Sequence, residues 1–342
     1  MPVELINLCG SESSPNWIEA KRFVEEWKQD RPSFTLTTSG STGAPKEIEL
    51  TRNQLEYSAR ETIQALNLKR GDKLLLGINA SFIGGKMLLV RGLINQMPVY
   101  VTEPSANPLD SIIEQIDFAA LVPLQIETII SSGSAEKLNQ MKAIIVGGAP
   151  VSRNLENQIM QLSVPIHSTY GMTETASHIA LRQLNGQEKS DYFSTLGDIK
   201  IDFDDRGCLT LNGTITDNKK IVTNDLVELV NDKQFKWLGR FDNVINSGGI
   251  KISPEEVENK LERIFTNLGL KRRYFISGIP DNRFGQKVIL VIEGTGIDFE
   301  LLNAQLSDEL PKYHRPKEVV FIDKFIETES GKINRKATIN TI

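Results

Sequence analysis

At 342 residues, 39% hydrophobic and 24% charged, with a formal net charge of −5, the chain has enough apolar material for a substantial core and two folding units. Its scattered Lys and Arg form no basic stripe, which excludes nucleic acid or an anionic membrane as the main partner. Cys9 and Cys208 cannot make a disulfide framework, and three dispersed histidines lack zinc-ligand spacing.

The first residues show no charged region followed by an apolar one, and no apolar run approaches the roughly 20 residues of a membrane span, so a cytoplasmic protein is expected. A short β-like run over 34–36 leads into Thr37-Thr38-Ser39-Gly40-Ser41-Thr42-Gly43-Ala44-Pro45-Lys46. Gly40 and Gly43 let backbone amides approach an anion, Ser39, Ser41 and Thr42 add hydroxyl donors, and Lys46 adds a cation. The loop therefore suits a nucleotide polyphosphate. It is not a Walker P-loop, because the glycines are three apart and Glu47 stands where that motif has a magnesium-binding hydroxyl. Composition alone would make it a Ser/Gly linker, yet it lies between a strand and a helix rather than between domains.

Strand-like runs at 34–39, 73–77, 98–102, 118–122, 143–146 and 164–168 alternate with helical patterns. One helix follows the capping box Thr51-Arg52-Asn53-Gln54, and another covers 152–161. This alternation predicts an α/β fold, a parallel sheet flanked by helices with its ligand at the carboxyl ends of the strands. The glycine loop and Tyr170-Gly171-Met172-Thr173-Glu174-Thr175 would then share one rim. Gly147-Gly148-Ala149-Pro150, read alone, is a strand-to-helix turn. Beyond Gly197, short strands at 201–203, 209–211, 221–223 and 227–230 predict an antiparallel β subdomain. From Asp242 a compact α+β pattern follows: a hairpin-like segment to Ile252, a helix over 254–265, strands at 274–278 and 288–293, and a helix over 299–310. The expected division is 1–241 and 242–342.

Taken in order, the glycine loop, the Tyr170 segment, Gly239-Arg240-Phe241-Asp242-Asn243-Val244-Ile245-Asn246-Ser247-Gly248-Gly249-Ile250-Lys251-Ile252 and Ser330-Gly331-Lys332-Ile333-Asn334-Arg335 resemble the adenylate-forming superfamily of acyl-CoA synthetases, adenylation domains and luciferases, over roughly the whole chain. The resemblance implies ATP and Mg²⁺, with coenzyme A as co-substrate. It places Thr38, Ser39, Gly40, Ser41, Thr42, Gly43 and Lys46 around the β- and γ-phosphates, Thr173 on the α-phosphate and Glu174 on Mg²⁺. Tyr170 and Gly171 would meet the adenine, with Gly148, Ala149 and Pro150 along it. Asp225, in Thr223-Asn224-Asp225, would accept from both ribose hydroxyls, with Arg240 as a second contact. Lys332 would stabilise charge between the substrate carboxylate and the α-phosphate. The resemblance further implies a small mobile C-terminal domain that swings about Asp242, withdrawing Lys332 and bringing Gly248 and Gly249 to the channel for coenzyme A.

Within the superfamily the chain resembles the o-succinylbenzoyl-CoA synthetases of menaquinone biosynthesis, on Leu121-Val122-Pro123-Leu124-Gln125, on 85–91 with Met87 and Arg91, and on Tyr170 to Ser177. Their acid carries a second carboxylate on an aromatic ring, which asks for a cation or hydroxyls beside apolar walls. Arg91 is the candidate anchor and Lys86 a second one, with Ser177 and His178 lining the pocket. Three departures stand out: Asn224 replaces a glycine, 79–82 lacks a histidine, and the glycine loop begins by residue 37, where the superfamily has a longer N-terminal subdomain. Such a reduction would uncover surface, and a homodimer is expected from it. The alternatives are another aryl or acyl acid, a carrier protein in place of coenzyme A, and a non-catalytic nucleotide-binding module.

Overall fold

Apolar runs that bury every residue organise the chain. The computed structural model describes residues 3–37, 47–295, 299–328 and 333–342. In order come β1 (Leu5–Asn7), α1 (Pro15–Lys28), β2 (Ser33–Thr37), β3 (Glu47–Thr51), α2 (Arg52–Ala65), β4 (Leu74–Leu76), α3 (Ile83–Asn95), β5 (Val99–Val101), β6 (Phe118–Leu121), α4 (Pro123–Ser131), α5 (Ala135–Asn139), β7 (Ala143–Val146), α6 (Arg153–Ile159) and β8 (Ile166–Gly171). β4, β6 and β7 bury all their residues, as parallel strands covered on both faces do. Leu74, Leu76, Phe118 and Ile145 join one core, and Leu75, Ala119, Ile144 and Val146 join the other. α2 begins with the expected capping box, Thr51 with Gln54, and buries Leu55, Ser58, Ala59 and Thr62 on one face.

The sheet continues through β9 (His178–Gln183), β10 (Phe193–Thr195), β11 (Lys200–Phe203), β12 (Cys208–Asn212), β13 (Ile221–Asn231) and β14 (Gln234–Arg240). Its order is β1-β5-β4-β6-β7-β8-β9-β10-β14-β13-β12-β11. Pairing is parallel as far as β8 and antiparallel from β8–β9 onward. The antiparallel part is thus the second half of one mixed sheet.

Two expectations are corrected. Residues 34–37, the described part of the strand expected over 34–39, do not enter the parallel sheet; they belong to β2, which pairs antiparallel with β3 in a separate two-stranded ribbon. The burial explains why: Phe34, Leu36 and Leu50 face the core while Thr35 and Glu49 are exposed, a one-sided pattern of period two. Residues 221–223 and 227–230 are one strand, β13, with a register shift between Leu226 and Val227. Asn224 and Asp225 interrupt the apolar pattern, but the backbone stays paired.

A second sheet follows, formed by β15 (Ile245–Ser247), β16 (Ile250–Ile252), β17 (Tyr274–Asp281), β18 (Gly285–Glu293) and β19 (Glu318–Ile322), with α7 (Pro254–Asn267), α8 (Phe299–Glu309) and α9 (Arg335–Ile339). Val257, Leu261, Ile264, Leu302 and Leu306 pack with Ile276 and Leu290 in a core of their own. β1, α1, β3, β9, β10, β14, β19 and α9 have no counterpart in the sequence reading. Among the described residues no helix is long and apolar enough to cross a membrane.

Candidate functional site

Gly147-Gly148-Ala149-Pro150 follows β7, and Met172 to Thr175 follows β8, its parallel neighbour, so both lie at the carboxyl ends of adjacent strands. Thr173 to Thr175 form a 3-10 turn in which Glu174 is exposed and has no hydrogen-bond or ion-pair partner among the described residues. Gly171 is required by close packing: a Cβ there would collide with the Ser177 carbonyl oxygen and stand 2.5 Å from the His178 Cα. Gly171→Ala is expected to cost about 1–3 kcal/mol by forcing β8 from β9. Thermal denaturation would show it as a lower melting temperature. Ala176 sits at φ +59°, a strained backbone for a residue with a side chain, immediately before Ser177 and His178.

The first polar cluster centres on Asp225, which is 8% exposed. Tyr170 Oη donates to its Oδ2 (2.8 Å), Trp237 Nε1 donates to its Oδ1 (3.1 Å), and Arg240 Nη1 stands 3.8 Å away. Burial, then the charge of Asp225, pushes the Tyr170 phenol up, which keeps it a donor at neutral pH. The Tyr170 ring meets Phe235 edge-on and leans on Phe193, so an aromatic row crosses the sheet to reach Asp225. An ionised carboxylate offers about four lone-pair positions, so with two filled, two remain for a vicinal diol. Trp237 was not anticipated from the sequence. Trp237→Phe keeps the ring and removes its donor, and should raise KM for ATP about 3- to 10-fold with kcat unchanged, read from initial rates at varied ATP. Arg240 also pairs with Asp242 (2.7 Å) in the 3-10 turn Phe241–Asn243.

The second cluster surrounds Arg91, which is 1% exposed. Thr62 donates its hydroxyl to Ser58 O (3.0 Å), so it accepts from both Arg91 Nη2 (3.2 Å) and His178 Nε2 (3.0 Å). That fixes the His178 tautomer: Nε2 carries the proton and Nδ1 accepts from Ser177 Oγ (3.2 Å). Ser177 Oγ accepts from Arg91 Nη2 in turn (3.4 Å). Burial, then the charges of Arg91 and His167, holds His178 well below the usual imidazole range, and burial pushes His167 down to about 4. Both rings are neutral at pH 7. Burial pushes the Arg91 guanidinium down to about 9, leaving it charged at pH 7. Among the described residues no carboxylate pairs with Arg91 and its Nε has no partner.

Lys86 does not join this cluster. It lies five residues from Arg91 on α3, turned toward α1, with Glu19 at 3.9 Å and the Phe23 ring beneath it. Gly248 and Gly249 form the two-residue turn of the β15–β16 hairpin, both at positive φ, as a type I′ turn requires. Thr38, Ser39, Gly40, Ser41, Thr42, Gly43, Lys46 and Lys332 lie outside the described residues. The segment carrying Lys332 is framed by a bridge between Glu327 and Ile333 and by Arg335, which donates to Glu258 (2.8 Å).

A mixed α/β sheet with polar side chains and a turn of small residues at the carboxyl ends of its strands is an architecture that binds ligands at that rim. The chain belongs to the AMP-binding, adenylate-forming enzymes: the family model described as "AMP-binding enzyme" matches residues 5–202. It is similar to the 2-succinylbenzoate–CoA ligase of Listeria monocytogenes serotype 4b, at 27% identity over 343 residues, covering 93% of this chain and 72% of the relative. A solved acyl-CoA synthetase (AMP-forming)/AMP-acid ligase II-like protein from Dyadobacter fermentans is 40% identical, with TM-score 0.64, and the match covers 96% of this chain and 95% of that one. The o-succinylbenzoate coenzyme A synthetase of Bacillus subtilis, solved with ATP and a magnesium ion, is 22% identical, with TM-score 0.74, and shares the fold over 89% of this chain and 69% of its own.

Proposed function

We propose that this protein is an ATP-dependent acid–CoA ligase that converts o-succinylbenzoate to o-succinylbenzoyl-CoA, as in menaquinone biosynthesis. The observation that carries the choice of acid is Arg91, a buried guanidinium whose hydrogen-bond partners among the described residues are all neutral. A buried charge left without a partner costs several kcal/mol, about the scale of a whole binding interaction, so a site that keeps one is built for an anion that arrives later. Thr62, Ser177 and neutral His178 orient Arg91 without neutralising it. The ring carboxylate of the acid would complete the pair, leaving the other carboxylate to react.

In the first step an oxygen of that second carboxylate forms a bond to the α-phosphorus of ATP, and the bond to pyrophosphate breaks. In the next, the thiol sulfur of coenzyme A gives up its proton and bonds to the acyl carbon, and the bond from that carbon to the phosphate oxygen of AMP breaks. Asp225 holds the ribose hydroxyls, oriented by Tyr170 and Trp237. Thr173 meets the α-phosphate, and Lys332 stabilises the charge developing there. Glu174, exposed and without a partner among the described residues, fits one ligand of Mg²⁺, an ion that commonly takes one or two carboxylates and completes its shell with water and phosphates. Mg²⁺, when bound, offsets the charge of the phosphates.

The test compares thioester formation from o-succinylbenzoate with that from 4-oxo-4-phenylbutanoate, which lacks only the ring carboxylate. A loss of about 100-fold or more in kcat/KM for the truncated acid supports the assignment of Arg91. Equal rates would contradict it.

A further inference from the structure

The two sheets have separate cores, and the chain passes between them once, through Phe241–Asn243. α7 lies along the first unit with polar side chains at both ends. At one end Ser253 Oγ donates to Leu238 O (3.3 Å), and Asn243 Nδ2 donates to Glu255 Oε1 (2.6 Å). At the other, seven residues on and on the same helix face, Glu262 accepts the backbone N–H of Arg153 on Oε2 (2.9 Å) and that of Asn154 on Oε1 (2.8 Å).

These donors belong to the first turn of α6, where no intrahelical acceptor exists. Ser152 Oγ takes the N–H of Leu155 (3.1 Å), so the first unit caps one donor and the second unit supplies the acceptor for two more. α6 is itself held to β9 by Glu156 and Arg182 (2.5 Å), and Arg182 lies over Phe193, which packs on Tyr170. A polar joint between separate cores, with one covalent crossing, is the arrangement in which relative motion is the default.

We propose that Glu262 is a latch: by capping α6 across the joint it holds the second sheet in the orientation seen here, and opening this cap frees that unit to turn about Phe241–Asn243. Only the kinetic consequence rests on the functional reading above; the latch itself concerns the orientation of two units.

The experiment places spin labels on Glu127→Cys in α4 and Asn303→Cys in α8, both exposed positions, and reads the distance distribution in the full chain. The native thiols are poor competitors, because Cys208 is buried and burial, reinforced by Glu103, pushes Cys9 up to about 11. A narrow distribution in the parent, with a second population enlarged about 3- to 10-fold in Glu262→Ala, is the expected result, since a lost cap and a screened carboxylate contact are each modest. Glu256→Ala, on the same helix and paired with Lys260 of that helix, should leave the distribution unchanged. A lower melting temperature in Glu262→Ala with an unchanged distribution would make the contact a simple structural cap and overturn the latch. If the ligase reading also holds, Glu262→Ala alters the ratio of adenylation to thioester formation while KM for ATP stays put. Without any acid-dependent turnover in the parent, the ligase reading fails and the distance result still decides the latch.

Discussion

Arg91→Met is expected to raise the melting temperature while lowering turnover of o-succinylbenzoate, two effects that rarely go together. Arg91 is fully enclosed among Thr62, Ser177 and neutral His178, and no carboxylate among the described residues compensates its desolvation. Methionine fills a similar length without a charge, and exchanging buried ionic groups for apolar ones is neutral or stabilising by about 1–4 kcal/mol. The same change leaves the ring carboxylate of the acid buried without a partner, a cost of about 3–5 kcal/mol, which at 1.4 kcal/mol per tenfold is a loss of about 100-fold or more in kcat/KM. KM for ATP should not move, because Asp225 and its donors belong to the other cluster. Differential scanning calorimetry and initial rates on one preparation check both halves. A variant that loses stability and keeps activity would make Arg91 a structural residue.

Asp225→Asn should raise KM for ATP about 30-fold or more, through loss of two hydrogen bonds to a charged acceptor. The donor inventory makes this substitution harsher than its shape suggests. Tyr170 Oη and Trp237 Nε1 both donate to Asp225, one to each oxygen. An asparagine has one oxygen and one NH₂, so its oxygen meets the donor-only Trp237 Nε1 only when its NH₂ turns to Tyr170, whose hydroxyl must then accept and loses its charged acceptor. The variant should therefore also lose about 1–3 kcal/mol of stability. Isothermal titration with ATP and thermal denaturation separate the two effects, and unchanged nucleotide affinity in a folded Asp225→Asn protein would remove Asp225 from the nucleotide site.

How far the sequence could be read depended on how local the determinants were. β4, β6 and β7 were legible because strands covered on both faces are continuous apolar runs, and α2 because its capping box is a four-residue pattern. β2 was assigned to the wrong sheet, since a five-residue run does not reveal its partner, and β3 was overlooked beside it. β13 was split in two because Asn224 and Asp225 break its apolar rhythm, and sequence rules tend to fail at residues kept for a site. Lys86 and Arg91 share α3, but five residues along a helix turn a side chain to a different face, a separation that residue type alone does not reveal. Thr62 carried a faint clue, a hydroxyl on the buried face of an amphipathic helix, but its neighbours Arg91 and His178 are 29 and 116 residues away. Trp237 likewise reads as an ordinary core aromatic until the fold brings its indole to Asp225.

The central claim, that this site adenylates a carboxylic acid, is tested most directly by exchange of labelled pyrophosphate into ATP, with Mg²⁺ and without coenzyme A. Exchange that requires o-succinylbenzoate and disappears in Lys332→Ala is the predicted result. ATP binding without exchange, for any acid in a panel of aromatic and aliphatic carboxylates, would contradict the claim and leave a nucleotide-binding module.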